Sequence, residues 1–136
     1  GHDPTVMNGA VMKNFASAAN PFASARTGEP GLFVAEVDES DGSIALYRPT
    51  IGVLLNVSLD HKSIEELRVL FGNYLATAGT AVINLDSTEA AYLVSRAERK
   101  VTFGIRAREA DITIEPDSID QSELGIGEPY VQGFDW

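Results

Sequence analysis

The chain has 136 residues, enough for one domain with a buried core, and its 44% hydrophobic and 22% charged residues are typical of a globular protein. Ten Lys and Arg against twenty Asp and Glu give a formal net charge of -10, which disfavours nucleic acid and anionic membrane surfaces as partners. The absence of Cys excludes disulfides and thiolate metal sites, and no apolar run reaches the roughly 20 residues of a membrane helix or resembles a signal peptide. We therefore expect one domain over residues 1–136, with the cytoplasm as the simplest location.

The first thirty residues give the weakest pattern. Residues 6–19 fit a strand followed by a helix, and residues 23–30 fit a loop. Two short apolar runs follow, at residues 32–35 and 51–57, and each is typical of a strand buried on both faces. An acidic stretch over residues 36–41 ends the first of these strands.

A helix is predicted to begin at Ile64, because Ser63 and Glu66 have the spacing of a capping box. Apolar residues then recur at helical spacing, and the helix should end near Gly79. Three further elements follow: a strand at residues 81–85, a helix at 86–97 and a strand at 101–105.

Strands that alternate with helices of this length predict right-handed crossovers and a mainly parallel sheet flanked by helices. The expected fold class is therefore α/β. Residues 111–115 alternate with period two, which predicts a small antiparallel appendage near the C-terminus. The Pro and Gly residues of 116–136 favour turns over a long regular element.

Polar residues gather where two of the predicted strands end, and ligands collect at the carboxyl ends of parallel strands. Residues 36–41 hold four carboxylates in six positions, and residues 56–61 place Asn56, Asp60 and His61 just before a helix. Carboxylates and a neighbouring His suit Mg²⁺, which binds through one or two protein groups plus substrate phosphates. The two strands are expected to be neighbours in the parallel sheet, which would place both groups of residues in one cleft, so the sequence offers a candidate magnesium site.

Simpler interpretations stay open for the same residues. An acidic run after a strand is most often a solvated loop, and Asp60 beside a capping box can serve only to cap the helix. A single His is usually structural as well. A phosphate-binding loop would favour the nucleotide interpretation, but Lys13, Lys62 and Lys100 all lack the preceding Gly that such a loop needs. Zinc-binding and serine-nucleophile patterns are also absent from the sequence.

Three segments are similar to the patterns of one enzyme family. HDPTVMNGA at residues 2–10 is similar to D-P-T-x-x-N-G-G, AEVDESD at 35–41 to A-E-A-D-E-S-D, and LNVSLDH at 55–61 to T-N-x-x-x-D-H. In this order and at strand ends, they resemble the central domain of the Mur ligases, most closely the UDP-N-acetylmuramate:L-alanine ligase and murein-peptide ligase branch. Later residues up to about 115 fit the same family.

The resemblance implies an ATP-dependent amide ligase, in which a carboxylate takes the γ-phosphoryl group and an amine then attacks the acyl phosphate. It implies that Glu36 and His61 are catalytic and hold Mg²⁺ beside the ATP. It also implies that the remaining matched polar residues line the substrate cleft or support the site. These are Thr5, Asn8, Asn56 and Asp60.

The chain departs from the family in several places. Ala10 replaces the second Gly of the first segment, and the loop between His61 and the next helix is short. The helix at 64–75 has no Lys for carbamylation, which favours the branch that adds L-alanine. No segment of this chain matches the family's phosphate-binding loop or its adenine-side residues. The chain is therefore expected to be a fragment that binds nucleotide and a UDP-sugar only within a longer parent protein.

Two hypotheses remain. The chain belongs to a ligase and is inactive alone, or it is a non-catalytic α/β module whose acidic cleft binds a metal or a partner. If the chain is a ligase fragment without the phosphate-loop strand, an exposed sheet edge or apolar face is expected to favour self-association.

Overall fold

The computed structural model describes residues 2–59 and 62–113, which fall into two compact units, Gly1–Ile44 and Ala45–Trp136. Each unit has a sheet of its own. The expectation that residues 1–136 form one domain stays a prediction.

The first unit holds three short strands, β1 (Thr5–Met7), β2 (Ala25–Arg26) and β3 (Phe33–Ala35), in the order β2-β1-β3. β1 is antiparallel to β2 and parallel to β3. The chain between β1 and β2 forms turns. The Met12 N–H donates to the Ala23 carbonyl at 2.8 Å and so links the two ends of this loop. The helix predicted within residues 6–19 is therefore wrong.

The burial predicted for β3 is also wrong. Phe33 is 58% exposed and Val34 is 49% exposed, although the sequence suggested a strand buried on both faces. Within residues 2–44 only Ala23 and Ile44 are buried. An apolar run predicts a strand but not its partner, and here β3 pairs with β1 in a unit whose described residues bury few side chains.

The second unit is a parallel sheet of four strands in the order β4-β5-β6-β7. The strands are β4 (Ile51–Leu54), β5 (Thr80–Asn84), β6 (Lys100–Gly104) and β7 (Ile112–Thr113). Helix α1 (Ile64–Thr77) joins β4 to β5, and α2 (Thr88–Tyr92), followed by a 3₁₀ helix at Val94–Arg96, joins β5 to β6. This alternation confirms the predicted α/β class with a mainly parallel sheet.

Helix α1 begins and ends where its local sequence predicts. The Ser63 hydroxyl accepts from the Glu66 N–H at 3.3 Å, and the Glu66 carboxylate accepts from the Ser63 N–H at 2.9 Å, which completes the capping box. The Ser63 N–H and the Ser63 hydroxyl both donate to the Glu66 carboxylate, and these two bonds lower the pKa of Glu66 below its usual value. After the helix, a Cβ at Gly79 would lie 2.8 Å from the Thr50 carbonyl oxygen, so glycine is required there. No helix of the described residues has the length and apolarity to cross a bilayer.

The core of the second unit lies between the helices and one face of the sheet. Leu67 and Leu75 of α1 are 2% and 0% exposed, and Ile83 of β5 is 0% exposed. Register places Ile83 beside Leu54 of β4, which is also buried. Because neighbouring strands follow one another along the chain, right-handed crossovers bring both helices to this same face.

The opposite face of β4 is open, which corrects the prediction of a strand buried on both sides. Ile51 is 63% exposed and Val53 is 49% exposed, whereas Gly52 and Leu54 between them are buried. Among the described residues β4 also ends the sheet, since it pairs only with β5.

The antiparallel appendage predicted at residues 111–115 is not what the described residues form. β7 pairs with β6 in parallel, with Phe103 opposite Ile112, and so extends the main sheet. The Asp111 carboxylate explains this register, because it accepts hydrogen bonds from both the N–H and the hydroxyl of Thr102 at 2.8 Å. These bonds hold the start of β7 beside β6 and lower the pKa of Asp111. Residues 114–115 lie outside the described residues.

The β4 edge and its apolar face lead to a prediction of self-association in this chain. Unpaired strand edges recruit other chains, and Ile51 and Val53 add exposed apolar surface beside that edge. We expect concentration-dependent oligomers that Val53→Lys weakens, with Val69→Lys on the exposed side of α1 as the control. Light scattering over a concentration series measures this. A wild type that stays monomeric at high concentration contradicts the prediction.

Candidate functional site

Two of the three matched segments meet at one edge of the first sheet. β1 and β3 are parallel and end side by side, with Met7 opposite Ala35. Asn8 and Gly9 follow β1, and Glu36 follows β3, so these residues lie at the same end of the strand pair. This is the carboxyl end of a parallel strand pair, the position at which α/β proteins bind ligands.

Hydrogen bonds tie the two segments together. The Glu36 N–H donates to the Met7 carbonyl at 3.0 Å, which extends the pairing of β1 and β3 by one residue. The Gly9 N–H donates to Oε2 of Glu36 at 2.8 Å. The Glu36 side chain is exposed, so its carboxylate is both anchored and accessible. We call Asn8, Gly9 and Glu36 the strand-end site.

Two other carboxylates of the acidic stretch, those of Asp38 and Asp41, stabilise turns. Oδ1 of Asp38 accepts from the Ser40 N–H and Oδ1 of Asp41 accepts from the Ser43 N–H, each at 2.8 Å. The bonds from the Ser43 backbone and hydroxyl lower the pKa of Asp41. Over residues 2–59 and 62–113, no three acidic or His side chains converge in a way that would hold a metal ion. For Asp38 and Asp41 the contacts favour the solvated-loop interpretation.

Thr5 and Asp3 take part in contacts within the first unit. The Thr5 hydroxyl accepts from the Gly28 N–H at 3.1 Å, and Asp3 forms an ion pair with Arg26 at 2.6 Å. A Cβ at Gly28 would lie 2.2 Å from the Asp3 carbonyl oxygen, so only glycine fits against this strand. Oδ1 of Asn8 accepts from the Ala10 N–H at 3.1 Å. The substrate-binding roles of Thr5 and Asn8 stay predictions.

The third matched segment follows β4. Asn56 lies two residues after the end of that strand and is half-buried. Asp60 and His61 lie outside the described residues, so the prediction that His61 approaches Glu36 stays a prediction. The expectation that β3 and β4 are neighbouring strands is wrong, because β3 pairs with β1 and β4 pairs with β5.

Asp86 is a prominent polar residue to which the sequence assigned no role. It follows β5, and its carboxylate accepts from the N–H groups of Ile105 at 2.7 Å, Arg106 at 2.9 Å and Ala107 at 2.8 Å. Burial raises the pKa of Asp86, but these three hydrogen bonds together outweigh it, and the pKa falls below the usual 3.8. An acidic residue directly after a strand was the available signal. Asp86 fixes the loop that leaves β6.

These contacts predict how stability depends on pH. Asp86→Asn should lower the free energy of unfolding at pH 7 by about 1–3 kcal/mol, because three N–H donors, two of them in part-buried bonds, lose a charged acceptor. The folded-state pKa is lowered, so the stabilisation is full above the unfolded pKa and is lost as pH falls through the folded one. The difference in the free energy of unfolding between wild type and Asp86→Asn should therefore shrink below about pH 4. Urea unfolding at pH 7, 5 and 3 measures it, with the exposed Glu98→Gln as control. An equal gap at pH 3 and pH 7 contradicts the assignment.

A groove of about 680 Å³ lies elsewhere in the first unit. None of the predicted site residues lines it. Arg26 in this groove is already engaged, by Asp3 at 2.6 Å and by the Phe15 ring at 5.3 Å. We assign the site to the strand ends because the matched segments meet there. The groove residues are Asn14, Phe15, Asn20, Ala25, Arg26 and Thr27.

Similar proteins were found by sequence. UDP-N-acetylmuramate–L-alanine ligases from Geobacter sp. (strain M21) and Desulforapulum autotrophicum are 35% and 36% identical to the chain, each over 79% of it. A ligase of the same name from Mycobacteroides abscessus is 33% identical over 100% of the chain. The chain spans only about a quarter of these relatives, 24%, 24% and 26% of their lengths. No family model matches the chain.

Solved structures share the fold. A murein peptide ligase from Psychrobacter arcticus superposes with a TM-score of 0.63 at 18% identity, covering 87% of this chain and 30% of that one. A UDP-N-acetylmuramate:L-alanyl-gamma-D-glutamyl-meso-diaminopimelate ligase from Neisseria meningitides gives a TM-score of 0.57 at 22% identity, covering 74% of this chain and 37% of that one. The chain is therefore a homologue of part of the Mur ligases, the family that its three sequence segments resemble.

Proposed function

We propose that the chain is part of an ATP-dependent amide ligase of peptidoglycan precursor synthesis or recycling. The ligase joins an amino acid or peptide to a UDP-N-acetylmuramate-type carboxylate. The observation that carries the proposal is the bond between Gly9 and Glu36, because it unites two separately matched segments at a strand end. The names of the sequence relatives support the same reaction.

The proposed reaction has two steps, formation of an acyl phosphate and formation of the amide. An oxygen of the acceptor carboxylate attacks the γ-phosphorus of ATP, and the bond to ADP breaks to leave an acyl phosphate. The nitrogen of the amino acid then attacks the acyl carbon, the bond to phosphate breaks, and the nitrogen gives up a proton. Binding and orientation dominate such transfers, since the protein supplies little covalent chemistry.

The chemistry of Glu36 fits the implied metal. Its carboxylate offers the hard oxygen atoms that Mg²⁺ prefers, it is exposed, and its observed anchor is a neutral N–H that leaves its charge intact. We propose that Glu36 and His61 hold Mg²⁺. When bound, this ion neutralises charge on the transferred phosphoryl group. Asn56 supports this site, and Thr5 and Asn8 lie beside the acceptor.

The sequence of α1 favours one class of amine as the nucleophile that attacks the acyl phosphate. Arg68 is its only basic residue and pairs with Glu89 at 2.7 Å, so α1 supplies no Lys for carbamylation. This favours L-alanine, or a short peptide that begins with L-alanine, as the nucleophile. The branches of the family that carry a carbamylated Lys on this helix use other substrates. ATP and the UDP-sugar acceptor are the proposed partners, and the cytoplasm is the expected location.

The test uses the protein extended to the length of its relatives. ADP release is measured with Mg-ATP, UDP-N-acetylmuramate and each candidate amino acid or peptide in turn. We expect L-alanine or an L-alanine peptide to stimulate release. If none of them does although Mg-ATP binds, the cell-wall reaction is wrong. Metal or partner binding without turnover would instead favour a non-catalytic module, which the names of the relatives do not favour.

A further inference from the structure

We propose that Gly9 is a positioning residue, whose backbone N–H orients the Glu36 carboxylate to receive a divalent cation. The inference rests on the proposed function and adds to it a residue that no matched segment assigns to the metal. Its basis is the 2.8 Å contact between the Gly9 nitrogen and Oε2 of Glu36, across 27 residues of sequence.

The backbone around Gly9 is fixed on both sides. The Asn8 N–H donates to the Ser24 carbonyl at 2.8 Å, and the Ala10 N–H donates to Oδ1 of Asn8 at 3.1 Å. Gly9 lies between these two anchored amides. A backbone donor has no rotamers, so the direction of its N–H is set by the turn and by the strand that precedes it. Glu36 has several rotamers, and the Gly9 N–H selects one of them.

A backbone N–H suits this task better than a basic side chain. Glu89 shows the contrast, because its carboxylate is taken up by both Nε and Nη2 of Arg68 at 2.7 and 2.9 Å. An ionised carboxylate has about four acceptor sites. One hydrogen bond to Oε2 leaves most of them free on Glu36, and no positive charge is brought near the cation.

Space at Gly9 explains why a side chain would disturb the contact. A Cβ built there would lie 3.2 Å from Oε2 of Glu36, closer than side chains normally pack. The carboxylate end of Glu36 is flexible and would move to relieve this contact. Gly9→Ala should therefore leave the fold intact and displace Oε2 of Glu36 by a few tenths of an ångström from its present position.

The experiment follows the Glu36 backbone amide by NMR in the ¹⁵N-labelled chain while Mn²⁺ alone is added as a paramagnetic probe. We expect Mn²⁺ to broaden this resonance in wild type. The Mn²⁺ concentration that gives half of the full broadening should rise by about tenfold in Gly9→Ala. Partners that orient a metal ligand typically contribute about 10–100-fold to metal affinity. Ala10→Gly loosens the same loop without touching Glu36 and should keep the wild-type midpoint. Glu36→Gln should abolish the broadening.

A second readout tests the contact without metal. The Gly9 amide shift should change in Glu36→Asp, whose shorter side chain draws the carboxylate away, and the dispersion of the other resonances reports whether each variant is folded. Wild-type broadening with an equal midpoint in Gly9→Ala overturns the positioning role alone. Absence of broadening in wild type overturns the positioning role, whereas the metal ligand itself is tested separately by ADP release from Glu36→Gln in the extended protein.

Discussion

Glu36→Gln should slow ADP release by the extended ligase by about 100-fold or more, because the transferring phosphoryl group loses a charge that positions its metal ion. His61→Ala should have a comparable effect. Glu39→Gln is the matched control, since Glu39 lies in the same acidic stretch and has no predicted role at the strand ends.

Steady-state rates at saturating Mg-ATP separate this effect from weaker nucleotide binding. The loss is expected in kcat, with little recovery as ATP is raised, because the metal acts on the transferring group. Raising Mg²⁺ should recover part of the rate in Glu36→Gln, which keeps one ligand oxygen. A Glu36→Gln enzyme as fast as Glu39→Gln would remove Glu36 from the site, and an unchanged His61→Ala rate would remove His61.

Leu75→Ala should have the largest effect on the stability of the chain. Leu75 is 0% exposed on α1, facing the same core as Ile83, and the truncation removes buried methyl groups and leaves a cavity. We expect a loss of about 2–5 kcal/mol in the free energy of unfolding. Urea unfolding followed by circular dichroism at the helical signal measures it.

Val69→Ala is the control for this variant. Val69 lies on the same helix but is 63% exposed, so its truncation should change the free energy of unfolding by less than about 0.5 kcal/mol. Equal losses at Leu75 and Val69 would mean that the core does not lie between α1 and the sheet.

The elements that the sequence predicts well are those determined by local interactions. Helix α1 starts at Ile64 because Ser63 and Glu66 cap one another across three residues. Its buried face follows from the periodicity of apolar residues. The β-α-β alternation predicts a parallel sheet, and β4, β5 and β6 are indeed parallel.

The pairing partners of short strands were less predictable. β3 looks like a central strand, yet it pairs with β1 and is exposed, because three apolar residues do not specify which edge they join. For β7, the period-two alternation predicted a strand with one solvent-exposed face in a small antiparallel appendage. The N–H and hydroxyl of Thr102 donate to the Asp111 carboxylate, and these bonds hold β7 parallel to β6 instead.

The candidate site was predictable in part. The resemblance selected Glu36 and the polar residues after the strands, and the strand register shows why Asn8 and Glu36 share an edge. The Gly9 contact depends on the pairing of strands far apart in sequence, which no local pattern encodes. The same is true of Asp86, whose three N–H partners lie 19 to 21 residues later.

The most direct measurement of the central claim is the product formed by the extended protein. UDP-N-acetylmuramate, L-alanine and Mg-ATP are incubated with it and analysed by mass spectrometry, with the 136-residue chain alone as the comparison. We expect an amide of the acceptor carboxylate with L-alanine or an L-alanine peptide, formed in proportion to ADP, and no product from the chain alone. ADP formed without any amide product, or an amide formed without ATP, would contradict it.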